Sequence, residues 1–150
     1  MEEKNTQIAQ IGIVGAGAWG TALAQQSIRA GSNVTLWARE NEVVTSINQR
    51  QENEIFLPDV KLSNQIRATS DLAELSGMDF IFMVVPAQFC RSVLYDLKPY
   101  ISENTAIVLS AHQAMLIRFW VRRPFQKVST LILLSILIRT RTRVLNSLSW

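Results

Sequence analysis

Two groups of residues between positions 15 and 40 have the types and spacing to hold an anionic ligand. Gly15-Ala16-Gly17-Ala18-Trp19-Gly20 reads G-x-G-x-x-G, and each glycine has its own task. Gly15 permits a tight turn, Gly17 lets the backbone approach a pyrophosphate with no Cβ in the way, and Gly20 lets a helix pack close to the preceding strand. A helix beginning here offers unpaired N–H groups and a partial positive charge to the phosphates. The same pattern also occurs in tight turns that bind nothing, so context decides between the two. Arg39 stands 19 residues past Gly20 and is followed at once by Glu40. An acid about 20 residues beyond such a loop binds the ribose 2′-OH of NAD, whereas a guanidinium attracts the 2′-phosphate of NADP and stacks on adenine. This pair favours NADP(H), with NAD(H) use left open by Glu40. The competing reading of Arg39 is a solvated surface arginine.

The required context is present. Gln10–Val14 is a short apolar run that stops at the glycine cluster, as a buried parallel strand does. Residues 18–30, with Ala22, Leu23, Ala24 and Ile28, predict a helix closed by Gly31. Asn33–Trp37 is β-branched and aromatic, a second strand. Val43, Val44 and Ile47 mark one face of a helix over 41–51, and Pro58 makes Glu54–Asp59 a loop. Gln65–Thr69 reads as a third strand, with Ser70 or Asp71 capping a brief helix over Leu72–Leu75. Asp79–Val85 is the most hydrophobic run of this part, a central strand ended by Pro86. Phe89, Val93, Leu94 and Leu97 have helical spacing over 87–98, and Thr105–Leu109 is a fifth strand. Strand and helix alternating at this rhythm predict an α/β fold, a Rossmann-type doubly wound parallel sheet with helices on both faces.

Composition divides the 150 residues in two. Residues 1–110 hold 8 Lys and Arg against 12 Asp and Glu, a net charge of −4, and all six glycines. Residues 111–150 hold seven Lys and Arg, no acid and no glycine. The basicity thus belongs to the tail and says little about partners of the folded part. We place the dinucleotide-binding domain at 1–110 and a basic apolar tail of doubtful fold at 111–150, which leaves the sheet incomplete. One cysteine, Cys90, excludes a disulfide framework or cysteine-cluster metal site, and one histidine, His112, excludes a multi-histidine centre; no metal is expected. Met1-Glu2-Glu3-Lys4-Asn5 lacks an apolar signal segment, so the expected location is cytoplasmic. Leu131–Ile138 is eight residues long, against the ~20 needed to cross a bilayer, so no membrane span is expected.

Several runs together carry a resemblance: Ile11-Gly-Ile-Val-Gly-Ala-Gly-Ala-Trp-Gly-Thr-Ala-Leu-Ala24, Leu36-Trp-Ala-Arg39, Phe56-Leu-Pro-Asp-Val60 and Val84-Val-Pro86. In this order, from about Ile8 to Ser110, the chain resembles bacterial NAD(P)-dependent glycerol-3-phosphate dehydrogenase. The resemblance implies hydride transfer between NAD(P)H and dihydroxyacetone phosphate, which supplies a phospholipid precursor. Carried over, the family's cofactor contacts fall on Ala18 and Trp19, on Arg39 and Glu40, and on Phe56, with Val85 and Pro86 near the nicotinamide. Read without the family, Trp19 and Phe56 are packing residues and Pro86 is a strand stop.

The resemblance ends where the family shows Ser-x-x-Lys-Gly; here the chain reads Ser110-Ala-His-Gln-Ala-Met115, without that lysine or glycine. The simultaneous loss of acids and glycines suggests a reading-frame shift near residue 111. Back-translating His112-Gln113-Ala114 one base forward permits Thr or Ile and then Lys or Arg. Resequencing the locus tests this, and a tail found expressed and folded would refute it. Lys61, after Pro58, and Lys98, before Pro99, are not placed as proton-transfer groups, so no catalytic residue is assigned and no turnover is expected from this chain alone. A stand-alone NADP(H)-binding module without catalysis is the alternative. A basic tail anchoring to membrane or nucleic acid ranks last.

Overall fold

A computed structural model describes residues 8–109. The elements run β1 (Gln10–Val14), α1 (Ala18–Arg29), β2 (Asn33–Trp37), α2 (Asn41–Arg50), β3 (Ile66–Thr69), a 3₁₀ turn (Leu72–Leu75), β4 (Phe80–Met83), α3 (Ala87–Leu97), a second 3₁₀ turn (Lys98–Tyr100) and β5 (Ala106–Leu109). All five strands are parallel, in the order β3-β2-β1-β4-β5. The chain winds outward through β2 and β3, then returns past β1 to build β4 and β5. The strand order therefore reverses between β1 and β4, the place where open α/β sheets take ligands.

Alternation along the strands sends side chains to two separate cores. Ile11, Ile13, Val34, Leu36, Ile66, Ala68 and Phe82 pack with Ala24 of α1 and with Val43 and Ile47 of α2. On the other face Val14, Ile81 and Met83 pack with Leu75 and with Leu97 of α3. Helices thus cover both faces, as the alternating pattern predicts. Asp71 caps the first 3₁₀ turn, its carboxylate accepting from the Ala73 N–H at 2.9 Å.

Two expectations change. β4 is shorter than Asp79–Val85 because Val84 and Val85 leave the strand to form the turn into α3, although the Val84 N–H still donates to the Val14 carbonyl at 2.8 Å. It is an inner strand between β1 and β5, while the middle place belongs to β1. On α3 the buried positions are Cys90 and Leu97, Val93 and Leu94 pack against the core that holds Leu97, and Phe89 is exposed. At 3.6 residues per turn Phe89 lies roughly 80° around the helix from Leu97, and Cys90 only about 20°.

The edge strand β3 carries its own protection. Asn48 of α2 donates its amide to the Ala68 carbonyl and accepts the Ala68 N–H, each at 2.9 Å. A side chain thus takes the place of a further strand at one point on an edge that would otherwise present a free pairing surface. The expectations for the tail, including those for Ser110, His112 and the Leu131–Ile138 run, lie outside the described residues. Among the described residues, no helix is long and apolar enough to cross a membrane.

Candidate functional site

The glycine loop leaves β1 at the reversal point and is held from both sides. The Gly15 N–H donates to the Trp37 carbonyl at the end of β2, at 3.0 Å. Gly15 has φ +117°, and a Cβ there would meet the Val84 carbonyl oxygen at 2.8 Å and Val85 Cγ1 at 3.1 Å. A side chain is excluded by both conformation and space, so the turn needs glycine. At Gly20 a Cβ would fall 1.8 Å from the Gly15 carbonyl oxygen. The first turn of α1 therefore lies against the loop that precedes it, which is the close packing the third glycine serves.

Gly17 is different. It is the N-cap of α1, and a Cβ there would meet nothing within 4 Å. No side chain caps the helix and its first turn holds no acid. The first intrahelical bond runs from the Thr21 N–H to the Gly17 carbonyl, at 3.0 Å. The Gly17 N–H has no acceptor among the described residues. An uncapped helix start with an open approach and no opposing carboxylate suits a phosphate chain. Ala18 and Trp19 lie on this first turn and are exposed, while Ala16 is buried.

Arg39 and Glu40 follow β2, both exposed. Among the described residues Arg39 makes no ion pair; the pairs present are Arg50–Glu54, Lys61–Glu52 and Arg67–Glu74. Glu40 is the N-cap of α2, but its carboxylate makes no capping bond. Among the described residues, a guanidinium and a carboxylate that make no ion pair thus follow each other directly after β2.

Phe56, 41% exposed, sits in the loop after α2. Sequence reasoning began that loop at Glu54 and so missed what holds it. Asn53 is fully buried; its amide donates to the Ala16 carbonyl and to Thr21 Oγ1, both at 2.8 Å. Its carbonyl oxygen accepts the Phe56 N–H at 3.2 Å, a side-chain bond to the N–H three residues on like that made by an Asn helix cap, which the Asn three residues before Phe56 could have signalled. Val85 is half-buried against the core under α3, and Pro86 is the exposed N-cap of α3. The Cys90 thiol donates to the Val85 carbonyl at 3.6 Å, and burial pushes its pKa up. The fold thus connects the glycine loop to β2 through Trp37, to the Phe56 loop through Asn53, and to Val84–Val85 directly. Among the described residues, no hydrogen bond or ion pair joins Arg39 to Phe56 or Phe56 to Pro86. Among the described residues, no group of three or more His, Cys, Asp or Glu is placed to hold a metal ion.

Residues 10–124 match the family model for the N-terminus of NAD-dependent glycerol-3-phosphate dehydrogenase. Glycerol-3-phosphate dehydrogenase (NAD(P)+) of Parvibaculum lavamentivorans is 53% identical over 102 residues, which cover 68% of this chain and 31% of that protein. The enzyme of the same name from Maricaulis maris is 48% identical over 106 residues, 71% of this chain and 32% of its own. The chain therefore spans about a third of the length of these relatives. Among solved structures, glycerol-3-phosphate dehydrogenase from Coxiella burnetii superposes with a TM-score of 0.65 at 34% identity, over 69% of this chain and 32% of that one. Arogenate dehydrogenase from Synechocystis, at 24% identity and a TM-score of 0.56, shares the fold alone. With a G-x-G-x-x-G loop at the reversal point of a doubly wound sheet and a family match over most of its length, this chain belongs to the NAD-dependent glycerol-3-phosphate dehydrogenase family, through that family's N-terminal part.

Proposed function

We propose that this chain is the dinucleotide-binding domain, to about residue 110, of an NAD(P)-dependent glycerol-3-phosphate dehydrogenase, and that it prefers NADP(H). The uncapped start of α1, open at Gly17, carries this reading, together with Arg39 after β2, which makes no ion pair among the described residues. In it the backbone of Gly15–Gly20, including Ala16, Ala18 and Trp19, receives the pyrophosphate. Arg39 holds the 2′-phosphate, and Glu40 meets a ribose hydroxyl when NAD(H) is bound instead. Phe56 closes over the ligand from the loop after α2, and Val85 and Pro86 line the nicotinamide side. The cofactor, when bound, carries the hydride; these residues bind it, orient it and keep water from its apolar faces.

Reduction of a phosphorylated ketone such as dihydroxyacetone phosphate needs two further groups, one to exchange a proton at the substrate oxygen and one to hold the substrate phosphate. The described lysines are ill-suited to either task. Lys61 Nζ donates to the Arg50 carbonyl at 2.9 Å and lies 3.3 Å from Glu52 Oε1, and Lys98 starts the turn after α3. The purified 150-residue chain is therefore expected to bind NADPH saturably in titration calorimetry while giving no NADPH-dependent reduction of dihydroxyacetone phosphate. A folded chain that takes up no dinucleotide would contradict the binding assignment, and measurable reduction would contradict the expected lack of turnover.

A further inference from the structure

The polar cluster beneath the glycine loop has a role beyond filling space. Ala16, Thr21 and Asn53 are 5%, 0% and 0% exposed, and their polar groups form a closed set. The two Asn53 amide protons go to the Ala16 carbonyl and to Thr21 Oγ1, each at 2.8 Å. The Thr21 hydroxyl donates to the same Ala16 carbonyl at 3.3 Å. Asn53 Oδ1 takes the Phe56 N–H, and the Asn53 backbone carbonyl takes the Leu57 N–H at 2.8 Å. Among the described residues no buried side-chain polar atom lacks a partner.

Two consequences reach the ligand side. No peptide bond among the described residues is cis, so the Ala16 C=O and the Gly17 N–H point in opposite directions across one planar unit. With the carbonyl held inward by Asn53 and Thr21, the Gly17 N–H is turned the opposite way, and it has no acceptor among the described residues. The same Asn53 side chain fixes the 53–57 turn on which Phe56 is carried. One buried amide thus sets both the phosphate-facing peptide and the aromatic that closes over the ligand.

We propose that Asn53, acting with Thr21 through the Ala16–Gly17 peptide and through Phe56, is the positioning residue of the dinucleotide site. This rests on the cofactor-domain reading above. Neither side chain touches the ligand; they aim the groups that do.

The test uses the 150-residue chain and NADPH, with calorimetric titration at a temperature where circular dichroism shows each variant folded. N53A is expected to raise the NADPH dissociation constant at least tenfold. T21V, which keeps shape but loses the hydroxyl, raises it about fivefold, and T21S, which keeps the hydroxyl, recovers most of that loss. Because part of the Asn53 effect runs through Phe56, N53A/F56A should bind less weakly than the product of the two single effects. A purely packing role would lower the melting temperature and leave binding within twofold, and that result overturns the proposal. Should N53A not fold, the contrast between T21V and T21S decides by the same criteria. A parent chain that binds no NADPH overturns the reading of the site and this role with it. A parent that binds while the variants bind equally well overturns the positioning role alone.

Discussion

Gly20→Ala is expected to destabilise the chain by about 3 kcal/mol, lowering the melting temperature by roughly 10–20 °C, and to abolish dinucleotide binding. Two effects of opposite sign compete. Alanine is the better helix former by about 1 kcal/mol, which favours the variant. Against it, the new Cβ would lie 1.8 Å from the Gly15 carbonyl oxygen and 3.0 Å from its carbon, both backbone atoms. The loop has nowhere to retreat, since Gly15 is bonded to Trp37 and abuts Val84. Overpacking against fixed backbone lies at or beyond the upper end of the usual ~1–3 kcal/mol cost, so it wins. Gly17→Ala provides the contrast. Its Cβ enters open space, so the stability change stays within about 1 kcal/mol, as for other N-cap exchanges. NADPH affinity should nevertheless fall about tenfold or more, because the methyl occupies the phosphate approach. Thermal melts of both variants, paired with NADPH titration, check this. A Gly20→Ala chain that melts within a few degrees of the parent would show that the α1–loop contact is not tight.

Arg39→Ala is expected to weaken NADPH binding about 10- to 100-fold while leaving NADH binding within about twofold. A hydrogen bond to an ionised partner contributes about 1.5–3 kcal/mol, and each ~1.4 kcal/mol is a factor of ten. Arg39 is free to deliver that amount because among the described residues no carboxylate competes for it. Its exposure makes the effect depend on salt: the NADPH preference of the parent should shrink as ionic strength rises. Calorimetric titrations of parent and variant with both dinucleotides, at low and high salt, give the comparison. Equal loss for NADPH and NADH would assign Arg39 to adenine stacking instead, and no loss for either would make it a solvated surface arginine.

Much of the domain is legible locally. Gln10–Val14 and Asn33–Trp37 form strands with the bounds read from their residue types, and Asp71 caps its turn as short polar residues do. The errors fall where a local rule meets a tertiary constraint. Hydrophobicity alone carries the fourth strand to Val85, but Val84 and Val85 are needed for the turn that meets Gly15. Helical spacing groups Phe89 with Val93, Leu94 and Leu97, but the helix face that packs is set by Leu97, and Cys90 lies on it while Phe89 does not. The candidate binding residues come from a motif and its spacing, so the exposed groups are found and the buried ones beneath them are not. Thr21 and Asn53 lie outside the G-x-G-x-x-G pattern, although they hold the loop that carries it.

Residue order alone settles which segments become strand or helix, that a glycine-rich turn follows the first strand, and where the charged pair follows the second. Each of these depends on residues within a turn or two of one another, through periodicity, backbone sterics or spacing along the chain. Three other features exist only once the chain is packed: β4 lies beside β1, Asn48 covers the open edge of β3, and Asn53 reaches Ala16 across 37 residues. Burial accounts for the difference. An amide or a carbonyl removed from water must find a partner wherever the packed chain supplies one, and that choice belongs to the fold as a whole.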